Sequence, residues 1–349
     1  MSQNRITLAD VARAAGVSRT TASLVLSDRG DELRISESSQ DRVRTIASEL
    51  GYRPNKLSTS LRSGTSRTVG FISDTVATSQ LAGDMIKGAL EEARSRGYML
   101  FIGETEGDEV EQDRLVETML DHQVDGLIIA SMFTRERSVP RSAQGRKVVL
   151  LNTLPADSGL QVPAVIPDEY RAGRDAARLL LDAGHREIHL IGAGPAPGDV
   201  APRTVAGRER LAGILDELQA SGLAPASGST SGVWLPEEGF ELTRSLIGRG
   251  VRGGALITFN DRLAFGAYQA INEAGLSVPT DFAVVSFDDH PLAGWLHPGL
   301  TTFAIPHREL GRRAVAVLLA EDDAAEPASP ERLRMPLRSR ESIASPVGR

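Results

Sequence analysis

A set of hydroxyl, amide and carboxylate side chains recurs directly after short apolar runs in residues 68–349. Its members are Ser73 and Asp74 after TVGFI, Ser131 after GLIIA, Asn152 after VVLL, Asn260 and Asp261 after ALITF, and Asp288 after AVVSF. Groups of these types can hydrogen-bond the hydroxyls of a sugar. Asn and Asp also follow strands as turn formers, and Asp261 can equally cap the helix that follows it. The set predicts a polar binding site, with the turn-forming interpretation open for each member.

Short strands followed by helices must position these side chains. From Thr68 onward, apolar runs such as YMLFIG and KVVLLN alternate with longer helical patterns, for example over about 110–122 and 170–183. Alternation of this kind builds parallel sheets with helices on both faces, and ligands bind beyond the carboxyl ends of their strands. We therefore expect an α/β body with parallel sheets, whose edges collect the polar set.

Residues 7–26, TLADVARAAGVSRTTASLVL, carry a different pattern, which predicts a helix, a tight turn and a second helix. Thr7 followed three residues later by Asp10 is typical of a helix start, and Gly16 can supply the sharp exit. Ser18 is expected to cap the second helix. A third amphipathic stretch follows, so three short helices can close a small core.

The second helix presents hydrogen-bonding side chains once its apolar positions face inward. Such side chains contact base edges and phosphates. We predict DNA contacts from Thr7, Ser18, Arg19, Thr20, Thr21 and Ser23. Two helices around a glycine also occur in enzymes, so the spacing alone does not distinguish a DNA-binding protein from an enzyme. Charge favours DNA, because residues 1–67 hold 11 basic and 7 acidic residues in a chain whose net charge is −7.

Composition argues against several other classes of protein. The chain of 349 residues has no cysteine for a disulfide framework or a thiolate metal site, and its six histidines form no close-spaced ligand cluster. No apolar run reaches the roughly 18 residues of a membrane span, and the N-terminus shows no signal-peptide core. We expect a cytoplasmic, nucleoid-associated protein with no cofactor, no metal and no catalytic site.

Two other functions compete with DNA binding. In IHLIGAGPAPG, three glycines follow a strand as in a dinucleotide-binding enzyme, but the spacing differs by one residue, and Pro195 and Pro197 interrupt the expected helix start. A sugar-binding carrier protein would need the body alone and has no use for a basic three-helix head. The sequence supports both of these functions less well than that of a DNA-binding regulator.

The segment TLADVARAAGVSRTTASLVL, followed by RISESSQDRVRTIASELGYRPNKLSTSLRSGTSRTVGFI, resembles the head and hinge of the lac repressor and galactose repressor family of bacterial transcription regulators. The resemblance continues through VDGLII, AGHREIHLIGAGP, RERLAGI and ALITFNDRLAFGAYQAINEAGLSVPTDFAVVSFDD, and so covers nearly the whole chain. It implies a helix-turn-helix domain over 1–54, a hinge over 55–67, and an effector-binding and dimerisation domain over 68–349 with two lobes like those of periplasmic binding proteins.

The resemblance also implies roles for individual residues. Asn260, Asp261 and Asp288 match family positions near the effector, and Arg208 matches an arginine that reaches it. Trp234 lies where the family often places an aromatic ring against a sugar, although core packing is an equal alternative. The expected effector site comprises Ser73, Ser131, Asn152, Arg208, Trp234, Asn260, Asp261 and Asp288.

Asn55 and Leu61, in the hinge, complete the predicted DNA-binding set. In the family this segment folds on the operator, and a leucine at the position of Leu61 wedges into the minor groove. A plain tether is the alternative. Trp295 lies in a loop between strands, and the sequence does not decide whether it lines the effector cleft or takes part in the dimer contact.

These features combine into one expected mechanism. Two heads, paired in a homodimer, would read a pseudo-palindromic operator in double-stranded DNA, and a small-molecule effector would change the affinity for it. We expect a repressor of sugar-utilisation genes that a sugar releases from DNA. A corepressor-dependent regulator that responds to a non-sugar metabolite is the alternative, and the sequence leaves the effector and the operator unidentified.

Overall fold

The chain divides into two units, Met1–Arg67 and Thr68–Arg349. The computed structural model describes residues 6–31, 33–52, 65–79, 82–157, 159–320 and 330–344. The predicted hinge contacts of Asn55 and Leu61 lie outside these residues.

The first unit is built from three helices, α1 (Leu8–Ala15), α2 (Arg19–Leu26) and α3 (Glu37–Glu49). Thr7 and Asp10 form a capping box at the start of α1, and Gly16 ends that helix in the left-handed conformation with a φ of 65°. Small and β-branched side chains from the three helices form the core, which consists of Val11, Ala12, Ala15, Ala22, Val25, Val43 and Ala47. The predicted three-helix head is confirmed.

The second unit contains two lobes, each with one six-stranded sheet. The first lobe contains β1 (Thr68–Ser73), α4 (Gly83–Ser95), β2 (Met99–Glu104), α5 (Glu109–Asp121), β3 (Gly126–Arg137), β4 (Val148–Pro155), β5 (Ala164–Pro167), α11 (His307–Leu318) and β11 (Glu331–Leu333), with a 3₁₀ turn at Arg141–Ala143. Its strand order is β11-β5-β4-β3-β1-β2, and neighbouring strands are parallel.

The second lobe repeats this plan. It contains α6 (Glu169–Asp182), β6 (Ile188–Gly192), α7 (Val205–Ala220), β7 (Ser227–Thr230), α8 (Pro236–Gly248), β8 (Gly254–Thr258), α9 (Asp261–Glu273), β9 (Phe282–Asp288), α10 (Leu292–Trp295), β10 (Thr301–Ala304) and β12 (Leu337–Arg338). The strand order is β12-β10-β9-β8-β6-β7, with the edge strand β12 antiparallel to β10. Central strands such as β6 and β9 are buried on both faces, as parallel sheets require. The predicted parallel α/β body is confirmed.

The chain passes between the two lobes three times, and each crossover contains a proline. Pro167 ends β5 before α6, Pro306 lies between β10 and α11, and Pro336 lies between β11 and β12. Each lobe is therefore assembled from segments distant in sequence, and the two lobes share three short connections.

Glycines let three pairs of helices approach until their backbones touch. In the pair α4 and α11, a Cβ on Gly88 would lie 1.8 Å from the carbonyl oxygen of Arg308, and one on Gly311 would lie 1.9 Å from that of Met85. No side chain fits such a space. The pairs α6 with α7 and α8 with α9 are interlocked in the same way, through Gly173, Gly213, Gly239 and Gly266.

Candidate functional site

Helix α2 carries the polar face that the sequence predicted for DNA binding. Arg19 and Thr20 are exposed in its first turn, while Thr21 and Ser23 are half-buried. The Ser18 hydroxyl caps the helix by accepting from the Thr21 amide at 3.0 Å. Because Ser18 is held in this local bond, the side chains directed to solvent at this helix start are chiefly Arg19 and Thr20.

Thr7 also has a local role in the described structure. Its hydroxyl donates to the Asp10 carboxylate at 2.6 Å, while its backbone amide donates to the same carboxylate at 3.0 Å. These bonds hold the pKa of Asp10 below its usual range. Thr7 thus fixes the start of α1 and, through it, the packing of α2.

A cavity of about 270 Å³ lies between the two lobes of the second unit. The first lobe lines it with Met132, Phe133 and Thr134, which lie in β3 at the irregularity between Ala130 and Arg135, and with Asn152 of β4. The second lobe contributes Glu169, Arg210, Trp234, Asn260, Arg262 and Asp288. Four of the predicted effector residues, Asn152, Trp234, Asn260 and Asp288, therefore face one cavity, as expected for residues at the carboxyl ends of parallel strands.

Arg210 forms the electrostatic centre of this cavity. Its side chain is 2% exposed, and it donates to Glu169 through Nε at 2.5 Å and Nη2 at 3.0 Å. It also donates to the carbonyl oxygen of Phe259 at 2.5 Å and contacts Asp288 at 3.5 Å. Burial disfavours the charged guanidinium, but the carboxylates of Glu169 and Asp288 outweigh burial and raise the pKa of Arg210.

Asp261 at the start of α9 and Asp288 at the end of β9 both have raised pKa values. Burial and the neighbouring Asp288 charge raise the pKa of Asp261 to about 8. Burial likewise raises the pKa of Asp288 to about 6, although Arg210 opposes this shift. Both carboxyl groups are therefore harder to ionise than a free aspartate, and Asp261 more so than Asp288.

Several lining groups are already bonded within the protein. Asn152 accepts from Thr134 at 2.6 Å and donates to the carbonyl oxygen of Ser131 at 3.1 Å. Asn260 caps α9 through the Leu263 amide and donates to the carbonyl oxygen of Trp234. Trp234 packs edge-on against Phe259 and lines the cavity, so it takes part in both core packing and the cavity wall.

Four predicted effector residues, Ser73, Ser131, Asp261 and Arg208, do not line the cavity. Ser73 bonds to Glu104, and Ser131 is buried with its hydroxyl unpartnered. Asp261 is buried beneath the cavity and accepts from the Thr302 hydroxyl at 2.8 Å and the His290 amide at 2.7 Å. In the described structure Asp261 therefore holds the loop after β9, close to Asp288.

Arg208 lies outside the set of residues that line this cavity, contrary to the expectation that it would face the ligand there. It is half-exposed and donates to Glu136 of β3 at 2.8 Å. Two residues along a helix differ by about 200° in direction, so Arg208 and Arg210 face opposite sides of α7. Arg210 lies one turn before the buried Ile214, a periodicity that could have identified it.

Two further features of the sequence, Trp295 and the glycine-rich loop after β6, lie outside the cavity. Trp295 is 74% exposed and lines a surface hollow with Phe265, not the cavity between the lobes. In the glycine-rich loop after β6, the carboxylate of Asp199 lies against Gly194. A phosphate-binding turn would present bare amides at this point, so the loop does not favour a dinucleotide.

Sequence reasoning missed the apolar side and part of the charged side of the cavity. Met132, Phe133 and Ile305 give one apolar wall, while Glu169 and Arg262 add charge. Within the described ranges, no helix is long and apolar enough to span a membrane, and no cluster of three metal-ligating side chains occurs.

Comparison with known proteins covers both units. A family model described as "Bacterial regulatory proteins, lacI family" matches residues 7–55, and one for a periplasmic binding protein-like domain matches residues 177–343. The chain is 33% identical to the ribose operon repressor of Escherichia coli (strain K12) over 317 residues, which cover 90% of this chain and 92% of that protein.

Two further similarities extend over almost the entire length. The sucrose operon repressor of Klebsiella pneumoniae is 30% identical over 332 residues, or 94% of this chain and 96% of that protein. A crystal structure of the Lac repressor bound to ONPG in the repressed state has a TM-score of 0.80 at 25% identity, and covers 97% of this chain and 100% of the other.

Proposed function

Because the chain belongs to the lacI family of bacterial regulatory proteins, we propose that it represses sugar-utilisation genes and that a sugar in the cavity between its lobes releases it from DNA. It is a DNA-binding repressor regulated by an effector, and its relatives are transcriptional regulators, not enzymes. Its place of action is the cytoplasm, on operator DNA.

One observation supports this function most directly. A single chain carries a capped helix with exposed Arg19 and Thr20 and, in a separate unit, a cavity lined by charged and aromatic side chains. The first feature suits the major groove, and the second suits a small hydroxylated ligand. Coupling the two sites changes operator affinity when the ligand binds.

The test begins by selecting the preferred operator from a randomised pool of duplex DNA with the full chain. Fluorescence anisotropy then measures binding to that operator, with and without sugars. We expect a sugar to weaken operator binding about 5- to 150-fold, as a coupling of about 1–3 kcal/mol requires. Tighter binding would instead identify a corepressor, and no change with any ligand that binds the chain would refute the proposal.

Arg19 tests the DNA-binding face. Arg19→Ala is expected to weaken operator binding by about 1–3 kcal/mol if its guanidinium reads a base edge. The same variant is measured on scrambled DNA. Equal losses on both sequences would assign Arg19 to a phosphate contact.

We include a homodimer in the proposed function, because two heads are needed to read two half-sites. Trp295 and Phe265 are exposed apolar side chains on one surface of the second lobe, and such side chains suit a protein contact. Sedimentation should give the mass of two chains. A monomer at micromolar concentration would count against the dimer.

A further inference from the structure

Among the described residues, Arg262 is the cavity-lining cation that forms no ion pair, although its charge acts on the nearby Asp288. Four charged side chains line the cavity, namely Glu169, Arg210, Arg262 and Asp288. Glu169 and Arg210 are joined by two hydrogen bonds. In the described part of the chain, the Arg262 guanidinium has no hydrogen bond or ion pair, and its Nε is buried without a partner. A ligand can therefore satisfy Arg262.

The position of Arg262 in α9 strengthens its attraction for negative charge. Helix α9 begins at Asp261 with Asn260 as its cap, so Arg262 lies in the first turn of a helix of 13 residues. The N-terminal end of a helix carries partial positive charge. The guanidinium and the helix end therefore act together on the part of a ligand that lies beside them.

Asp288 provides a hydrogen-bond acceptor across the same cavity. The one side-chain hydrogen bond that it accepts from the described residues is a long one from Arg210, at 3.5 Å. The positive charge of Arg262 lowers the pKa of Asp288, but the described structure contains no ion pair between these two side chains. Asp288 thus keeps capacity for a hydroxyl donor, whereas Arg262 can only donate.

We propose that the effector is a sugar acid of about one ring, whose carboxylate binds Arg262 while a hydroxyl donates to Asp288. This inference rests on the proposed function and specifies its ligand. A neutral sugar offers Arg262 only hydroxyl oxygens, and hydrogen bonds between two charged groups are stronger than these. The cavity of about 270 Å³ suits a single sugar unit, and Trp234 and Phe133 offer apolar faces to its C–H groups.

Calorimetric titration of the full chain tests the proposal with matched ligands. The probes are D-galacturonate and D-glucuronate against D-galactose and D-glucose, with D-gluconate as an open-chain acid. We expect at least one acid to bind about 10-fold or more tightly than its neutral parent. A neutral parent that binds as tightly as its acid, or the absence of any acid with a Kd below about 1 mM, would overturn the proposal.

Variants assign the effect to Arg262. Arg262→Gln should weaken binding of the acid about 10- to 100-fold and change the neutral parent by less than about threefold, whereas Arg262→Lys should keep part of the discrimination. Arg244→Gln, at an exposed arginine paired with Glu241, is the matched control and should leave both affinities unchanged. Thermal unfolding checks that each variant is folded. Equal losses for acid and neutral sugar in Arg262→Gln would contradict the assignment.

The operator experiment separates this inference from the proposed function. If a neutral sugar releases the operator, the chain is still a sugar-controlled repressor and the acidic effector is wrong. If an acid binds through Arg262 but leaves operator affinity unchanged, the ligand site stands and the regulatory function fails.

Discussion

The two lobes face the same cavity with different kinds of side chain. In the first lobe the buried Asp74 binds Arg135, which is 26% exposed, and neither residue lines the cavity, to which this lobe offers Met132 and Phe133. The second lobe places Arg210 and its carboxylate partners almost completely out of solvent. From this difference we expect the second lobe to bind the charged groups of a ligand and the first lobe to contact its apolar parts through Met132 and Phe133.

The largest expected effect breaks the buried ion pair of the second lobe. Glu169→Gln leaves Arg210 without its main counterion, so it should lower the free energy of unfolding by about 3–5 kcal/mol. Asp74→Asn in the first lobe should cost less, about 1–2 kcal/mol, because Arg135 is partly exposed and can turn to solvent. Urea denaturation measures both, and equal losses would remove the distinction between the lobes.

The pH dependence of stability should have opposite signs in the two lobes. The pKa of Asp261 in the second lobe is raised to about 8, so the folded state holds a proton that the unfolded chain releases near pH 4. The free energy of unfolding therefore falls as pH rises from about 4 to 8. Replacing Asp261 by Asn should remove about 1.4 kcal/mol of dependence per pH unit between pH 5 and 7. Urea denaturation at several pH values measures the slope, and an unchanged slope in the variant would contradict the shift.

His307 supplies the opposite dependence in the first lobe. Burial lowers the pKa of His307 to about 4, so the folded state keeps the imidazole neutral while the unfolded chain takes up a proton near pH 6.5. The free energy of unfolding therefore falls as pH drops from about 6.5 towards 4. His307→Gln should flatten the stability profile below pH 6. Hydrogen exchange followed lobe by lobe would show whether acid opens the first lobe before the second.

Helix α8 offers a matched pair of glycines that tests the interlocked helices of the second lobe. A Cβ at Gly239 would lie 2.2 Å from the carbonyl oxygen of Leu263, whereas one at Gly248 would meet nothing within 4 Å. Gly239→Ala should destabilise the protein by about 1–3 kcal/mol. Gly248→Ala should be neutral or slightly stabilising, and the same loss in both variants would indicate helix propensity instead of close packing.

The smallest expected effect concerns the ion pairs between the lobes. Glu209 of α7 binds Arg332 of β11 through two hydrogen bonds of 2.6 and 2.7 Å, at a partly exposed position. Arg332→Glu should cost about 0.2–1 kcal/mol, and the reversed pair made with Glu209→Arg should recover it. Thermal unfolding at low and high salt measures both variants, and a loss that persists in the reversed pair would exclude this ion pair as its cause.

The sequence predicted the parts of the structure that have a local cause. The three helices of the head follow from capping and spacing around Thr7, Gly16 and Ser18. The body follows from alternating strands and helices, since residues after parallel strands meet at one edge. Asn152, Asn260 and Asp288 face the cavity for this reason.

The parts that the sequence did not predict depend on contacts between distant segments. The spacing of Arg210 from Ile214 places it on the buried side of α7, but whether a residue on that side reaches the cavity depends on packing against the rest of the lobe. Whether a polar residue is free or engaged depends in the same way on its neighbours, as with the hydroxyl of Ser73 and the carboxylate of Glu104. Arg262 stands out only because no partner reaches it in the described structure.

The three prolines of the crossovers define how one half of the body can turn against the other. Proline has no amide hydrogen, so at Pro167, Pro306 and Pro336 a rotation breaks no backbone hydrogen bond donated at that residue. The interlocked glycine helices keep each half rigid during such a rotation. Any movement of one half of the body against the other must therefore be accommodated in these three short connections, and it need not break the hydrogen bonds within either sheet.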